Sequence, residues 1–253
     1  MSTHVTAPAP PLRRILSHAA LEARMLLTNG EQILVAIVMP ALVLIGLRLL
    51  PVGRLEDVAP IDTAMAATLA TALVSTSFTS QAIQTGFDRR NGVLRWVATT
   101  PLGRDGYLAG KILATLGVHV LQVLVLSLLG IALGWRPEVT GLLLLVPVWL
   151  TGTVAFGSLG MLVAGTLRTE AVLAVSNLLF LLFVSVGGIA FPLVSYPRIL
   201  RGLVDLLPSG ALGELMRAGL GGGPLLVGSF LVLLVWAVGG VLAVIRWFRW
   251  TDS

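Results

Sequence analysis

The chain has 253 residues, 56% of them hydrophobic and only 11% charged, with a formal net charge of +5 and no cysteine. Soluble domains carry about 25% charged residues and leave about a quarter of even a large chain's surface in water, so this composition excludes a soluble globular domain and describes a polytopic membrane protein. The missing cysteines exclude a disulfide framework, thiolate catalysis and cysteine metal sites, and the basic residues are spread along the boundaries of the apolar runs rather than clustered as a nucleic-acid surface would require.

Residues 1–11 are small, polar and proline-rich, which predicts a poorly ordered N-terminus without the apolar centre of a signal peptide. Over 12–28, Leu12, Ile15, Leu16, Ala19, Ala23, Leu26 and Leu27 share one helical face, and Arg13, Arg14, Ser17, His18 and Glu22 occupy much of the other. That spacing predicts an amphipathic helix lying in the membrane interface, or else one packed on the protein itself. The first of six expected membrane spans runs from about Gln32 to Leu50, with a kink expected at Pro40.

The loop PVGRLEDVAP leads to a second span, about Ile61 to Ile83, where Thr68, Thr71, Ser75 and Thr79 recur at helical spacing. Hydroxyls in lipid turn toward other helices or water, so this face serves helix packing or lines a subunit interface or substrate path. Phe87 to Lys111 is then the longest polar interval between two long apolar runs. Inside it Val93, Leu94, Trp96 and Val97 form an apolar patch at helical spacing, after Gly92 and before Pro101. Thr100 precedes proline, which disfavours helix continuation. The expectation is a helix of roughly two turns along the membrane's inner face, with an exposed apolar side chain suited to a partner's groove. The alternative is an inner loop made basic by topology alone.

Spans three to six are expected at about Tyr107–Gly134, Gly141–Leu167, Ala171–Phe191 and Pro224–Ile245. His119 and Gln122 fall in the third span without a carboxylate beside them, so they read as buried hydrogen-bonded packing rather than a proton relay. Gly130 and Gly134 form a small-residue pair that points to helix packing. The three histidines stand far apart with no acidic cluster joining them, so no metal centre is expected.

Orientation follows from the basic residues. With the N-terminus inside, the inner side holds Arg13, Arg14, Arg24, Arg89, Arg90, Arg95, Arg104, Lys111, Arg168, Arg246 and Arg249, against Arg48, Arg54, Arg136, Arg198, Arg201 and Arg217 outside. Glu56, Asp57, Asp62, Glu138, Asp205 and Glu214 bring the outer side near neutrality. Both termini are therefore expected in the cytoplasm, with Trp247 and Trp250 as an inner interfacial anchor.

The segment DRRNGVLRWVATTPLGRDGYLAGK resembles the cytoplasmic segment of ABC-2 type transporter permeases, in which an acidic-basic-acidic cluster leads to Gly-Thr-Leu, a Thr-Pro-Leu turn and Gly-Lys. Asp88, Arg89, Gly92, Leu94, Thr100, Pro101, Leu102, Gly110 and Lys111 stand at matching places, whereas Arg90 replaces the second acid and Val93 the threonine. A second segment, FPLVSYPRILRGLVDLLPSGALGELMRAGLGGG, is similar to the family's external segment before the last span. Ile199, Leu200, Leu203, Val204 and Leu207 predict a short helix there that dips into the outer leaflet and breaks at Pro208 and Gly210.

The resemblance implies an all-α fold: an N-terminal interfacial helix, a 31–246 domain of six spans, a coupling helix between spans two and three, an external re-entrant segment, and a cytoplasmic tail at 247–253. It implies the permease subunit of an ATP-driven exporter of amphipathic or hydrophobic cargo, such as a drug, lipid or natural product. Two permease subunits, alike or different, would form the pathway, in a cell membrane crossed several times. Separate ABC ATPase subunits carrying ATP and magnesium would bind the coupling segment, Asp88, Arg89, Arg90, Gly92, Leu94, Arg95, Trp96, Thr100, Pro101, Leu102 and Lys111. The chain carries no ATP site of its own. Asp105 stands where a phosphate loop needs its first glycine, and Ile112 where it needs Ser or Thr. An ion-driven secondary transporter would need a carboxylate inside a span, and none is evident. A plain membrane anchor for a soluble complex leaves the hydroxyl-rich second span without a role.

Overall fold

The computed structural model describes residues 9–49 and 60–250. The N-terminal residues up to 8, the loop at 50–59 with Arg54, Glu56 and Asp57, and the tail at 251–253 lie outside the described residues. All regular structure among the described residues is helical.

Helix α1 (Pro11–Thr28) starts with proline in its first turn, where the missing N–H costs nothing. It lies along α7 (Gly103–Ala132). Ile15, His18, Ala19, Glu22 and Leu26, spaced three and four apart, form its inward side, while Leu12, Leu16, Leu21 and Met25 stay exposed. This is the reverse of a water-soluble helix: carboxylate and imidazole face protein, and leucines face outward.

The next helical stretch combines α2 (Gly30–Ile33), a π-helical segment (Leu34–Val38) and α3 (Met39–Leu49). Its irregularity has a definite chemical cause. Pro40 lacks an N–H, so the Ala36 carbonyl four residues back has no helical donor. The Gln122 side-chain amide on α7 donates to that carbonyl instead, at 2.7 Å. The irregularity expected at Pro40 takes the form of one widened turn immediately before it.

Helix α4 (Pro60–Val74), a second π-helical segment (Ser75–Ser80) and α5 (Gln81–Arg90) follow one another without a break, well beyond the expected end at Ile83. The short α6 (Val93–Thr99) then precedes α7, α8 (Val139–Thr166) and α9 (Thr169–Ser185). After these come α10 (Arg198–Asp205), α11 (Pro208–Leu220) and α12 (Val227–Trp247). Ile61–Arg90, Gly103–Ala132, Val139–Thr166 and Val227–Trp247 are each long and apolar enough to cross a membrane. Ala36–Gly46 and Thr169–Ser185 are shorter apolar stretches.

The stretch Ile61–Arg90 is the centre of the bundle, buried over 83% of its most apolar window against 22% for Val227–Trp247. Met65, Leu69, Leu73 and Phe78 pack there with Phe156 of α8 and Leu212 and Leu215 of α11. Phe183 of α9 closes edge-on against Phe78 and Phe156, 5.5 Å from each. The outer helices α7 and α12 carry the exposed leucines and valines, as a lipid-facing surface requires.

Helix α9 ends at Ser185, short of the expected Phe191, because the chain turns through Gly188 at φ +91, a left-handed backbone that favours glycine. The irregular backbone that follows is braced by side chains of α11. Arg217 donates to the Ile189 and Gly188 carbonyls at 3.0 and 2.7 Å, and Glu214 accepts from the Leu193 N–H at 3.0 Å. Of α10, Val204 is buried, whereas Ile199 is 87% exposed and Leu203 is also exposed. Pro208 opens α11 at its first turn, ending one helix by starting the next.

Candidate functional site

The polar interval between α5 and α7 builds a defined structure at one end of the bundle. Helix α5 stops at Arg90, and Gly92 takes φ +75, a left-handed conformation that turns the chain into α6. Thr100 is extended before Pro101, and its hydroxyl closes the last turn by donating to Val97 O at 2.7 Å. The apolar residues of α6, expected as one patch, are divided between two faces. Leu94 and Val97 are buried against Tyr107, with Leu102, Phe248 and Trp250 packed around them. Val93, Arg95 and Trp96 face outward, and Trp96 is 69% exposed.

Beneath α6 lies a buried charge cluster. Lys111 on α7 is 1% exposed, with Nζ 3.0 Å from Glu22 Oε2 on α1 and 3.1 Å from Asp88 Oδ2 on α5. Tyr107 donates to the same Asp88 oxygen at 2.6 Å. His18 stacks on Tyr107 with ring centres 5.3 Å apart, and its Nε2 stands 3.7 Å from Glu22. Gly110 explains how α1 comes so close, since a Cβ there would overlap the His18 ring. The adjacent Gly110 and Lys111 thus act together: the glycine admits α1, and the lysine fastens it.

Four arginines make further contacts at the same end. Arg89 donates to the Leu167 carbonyl, and Arg14 donates to the Pro101 carbonyl. Arg104 lies over the Trp250 ring, 4.9 Å from its centre. Arg90, where the second acid of the resembled pattern is replaced, reaches Glu170 at 3.2 Å with both side chains largely exposed. Such an exposed pair contributes about 0–1 kcal/mol. Asp88 and Lys111 are therefore brought together, Arg90 is joined to a different helix, and Arg95 and Trp96 stand apart on the surface.

Thr68, Thr71, Ser75 and Thr79 are all buried but not equivalent. Thr71 turns its hydroxyl onto Ala67 O at 2.7 Å, as a packed helical threonine does. Ser75 and Thr79, with Thr76 and Ser80, line a cleft of about 760 Å³ between α1, the two π-helical segments, α5 and α9. Glu22, Asp88 and Lys111 lie in its wall. Deeper in the bundle, His119 meets Ser77 at 3.3 Å and Thr153 at 3.2 Å, and Gln122 also donates to Thr76 at 2.8 Å. Both residues tie α7 to its neighbours.

Sequence reasoning missed Glu22 and Tyr107 as partners of Lys111, and His18 as the ring that stacks on Tyr107 beside Glu22. Glu22 and His18 sit on the polar side of an amphipathic helix, which by pattern alone faces water. The available signal was the four-residue spacing of His18 and Glu22 combined with the Gly110–Lys111 pair.

Burial holds the His18 imidazole below its ordinary value of 6.5; Glu22 opposes this shift, Lys111 adds to it, and Asp88 opposes it. The fold therefore favours the neutral ring, and the unfolded chain takes the extra proton first as pH falls. Stability from this group is complete above the ordinary value and declines as pH drops below it. Thermal unfolding in detergent is expected at lower temperature at about pH 5 than at about pH 7.5, and His18→Gln should reduce that difference. An unchanged pH dependence in the variant would remove His18 from the account.

With this geometry in hand, comparison with known proteins is direct. The profile of the ABC-2 type transporter family matches residues 20–220. A relative from Bacillus subtilis (strain 168), named "Putative transport permease YvfS", is 27% identical over 137 residues, covering 52% of this chain and 56% of that protein. The chain thus spans about half the length of that relative. The family match takes in α1 from its middle, the charge cluster, α6, and the segment through α11. On a match that covers well over half its length, the chain belongs to the ABC-2 type transporter family.

Proposed function

We propose that the chain is the membrane-spanning subunit of an ATP-driven exporter of amphipathic cargo, moved by a separate ABC ATPase that contacts α6. Family membership makes it a transport permease component, and such permeases generally work with ABC ATPase partners at a membrane. The observation that carries the rest is the division of α6. Leu94 and Val97 fix it to Tyr107 at the head of α7, while Val93, Arg95 and Trp96 are presented outward. A helix held on one face and bare on the other can transmit a push. Arg89, Arg90, Gly92, Thr100, Pro101 and Leu102 shape and brace it, and Asp88 and Lys111 connect it to α1. The α6 end is then cytoplasmic, and both termini lie on that side.

In this reading the stretches Gly30–Leu49 and Thr169–Ser185 join the four long helices to give six spans, with α10 lying in the opposite interface through Ile199 and Leu203. The cleft beside Ser75 and Thr79 lies along the cargo route, completed by a second permease subunit. Reconstitution with the partner ATPase tests the proposal. ATP hydrolysis should rise when amphipathic cargo is added, and a flat response from correctly inserted protein would count against it.

A further inference from the structure

The chain beyond α12 turns back onto the bundle. Helix α12 ends at Trp247, and Phe248 has an extended backbone, with φ −66 and ψ 120. The Arg249 N–H then donates to the Gly165 carbonyl, near the end of α8, at 3.1 Å. Gly165 also makes room for the Phe248 side chain, because a Cβ there would overlap its ring. Trp247 points outward at 62% exposure, whereas Phe248 and Trp250 are half-buried. Their two rings meet edge-on with centres 5.0 Å apart. Trp250 in turn meets Tyr107 edge-on at 6.3 Å and carries the Arg104 guanidinium over its face.

These contacts reach the covered face of α6. That helix has only seven residues, too few to be stable by itself, so its position is set by what packs on Leu94 and Val97. Tyr107, Leu102 and Leu108 come from α7 and the turn before it, and Phe248 and Trp250 come from the segment after α12. At its other end this segment is continuous with α12, which lies close against α8: a Cβ on Gly240 would overlap the Ser158 side chain. A backbone hydrogen bond, a glycine-seated ring and an aromatic pair thus connect α6 to helices other than its chain neighbours.

We infer that Phe248 and Trp250 form a strap joining α6 to α8 and α12, so that a displacement of α6 moves those two helices together with α7. The inference rests on the transport reading and adds two positioning residues for coupling, which act through α6.

The chain has no native cysteine, so Val97→Cys, at a position only 4% exposed, reports how well the inner face of α6 is covered. In the full chain alone, in neutral detergent, Trp250→Ala should speed maleimide labelling of Val97→Cys at least about tenfold, a decade in the local opening equilibrium. Trp250→Phe should keep labelling slow, because a ring remains beside Tyr107. Gly165→Ala displaces the strap from the α8 side, substitutes no residue of α6 or α7, and should speed labelling in the same way. In the complex reconstituted with the ATPase, Trp250→Ala should leave ATPase association unchanged and lower cargo-stimulated hydrolysis about tenfold, with Trp250→Phe restoring it. A general loss of packing would weaken association and hydrolysis together. Unchanged labelling in folded Trp250→Ala, or in Gly165→Ala where Trp250→Ala does not fold, overturns the strap. Faster labelling with full cargo stimulation overturns its part in coupling. Should the unsubstituted chain show no cargo stimulation, the transport reading fails, and the labelling rates still decide whether the strap holds α6.

Discussion

Replacing Lys111 with methionine is expected to lower the unfolding free energy by about 3–5 kcal/mol, the range seen when one partner of a buried ion cluster is removed. The side chain is 1% exposed and keeps Glu22 and Asp88 within 3.1 Å of its ammonium. Methionine preserves the apolar stem but strands two carboxylates, one of which, Glu22, is only 5% exposed. Adding Glu22→Gln to Lys111→Met should recover part of the loss, because Asp88 retains the Tyr107 hydroxyl at 2.6 Å. The non-additivity of the two substitutions measures the coupling of α1 to α7. Thermal unfolding in detergent of the four chains in that cycle is the measurement. A loss below about 1 kcal/mol for Lys111→Met, typical of surface substitutions, would show that the cluster does not fasten α1.

The sites of agreement and surprise follow from what each kind of pattern encodes. Hydropathy marks helices long enough to cross a membrane, and Ile61–Arg90, Gly103–Ala132, Val139–Thr166 and Val227–Trp247 were all legible from their apolar length. It does not encode which side of a short helix meets protein. For α1 the outward leucines and inward Glu22 and His18 depend on Gly110 and Lys111, some ninety residues away in the chain, so periodicity alone left the choice open. The same limit divided α6, where helical spacing grouped Val93, Leu94, Trp96 and Val97 but only Tyr107 decides which pair is buried. Pro40 announced an irregular helix, yet the form it takes depends on Gln122, whose amide replaces the missing backbone donor. Likewise, the spacing of Thr68, Thr71, Ser75 and Thr79 described one face, and the tertiary packing put Ser75 and Thr79 on the cleft while Thr71 turned to its own backbone.

Trp96→Ala is expected to reduce coupled ATP hydrolysis at least about tenfold in the reconstituted complex, while leaving the fold's stability within about 0.5 kcal/mol. The separation of the two effects comes from geometry. Trp96 is 69% exposed, so its truncation opens no cavity, whereas Leu94 and Val97 hold α6 in place on Tyr107. Arg95, also outward, extends the test to charge: Arg95→Glu should weaken ATPase association more at low salt than at high, because the lost attraction is screened. Leu94→Ala supplies the contrast. It removes a fully buried side chain and should cost about 2–5 kcal/mol of stability together with coupling. An anchor that only docked a soluble complex would lose its partner with Trp96→Ala but would have no cargo-dependent hydrolysis to lose. A coupling helix loses the cargo response in proportion to the contact. Full cargo-stimulated hydrolysis in Trp96→Ala and Arg95→Glu would show that the ATPase engages another part of the chain.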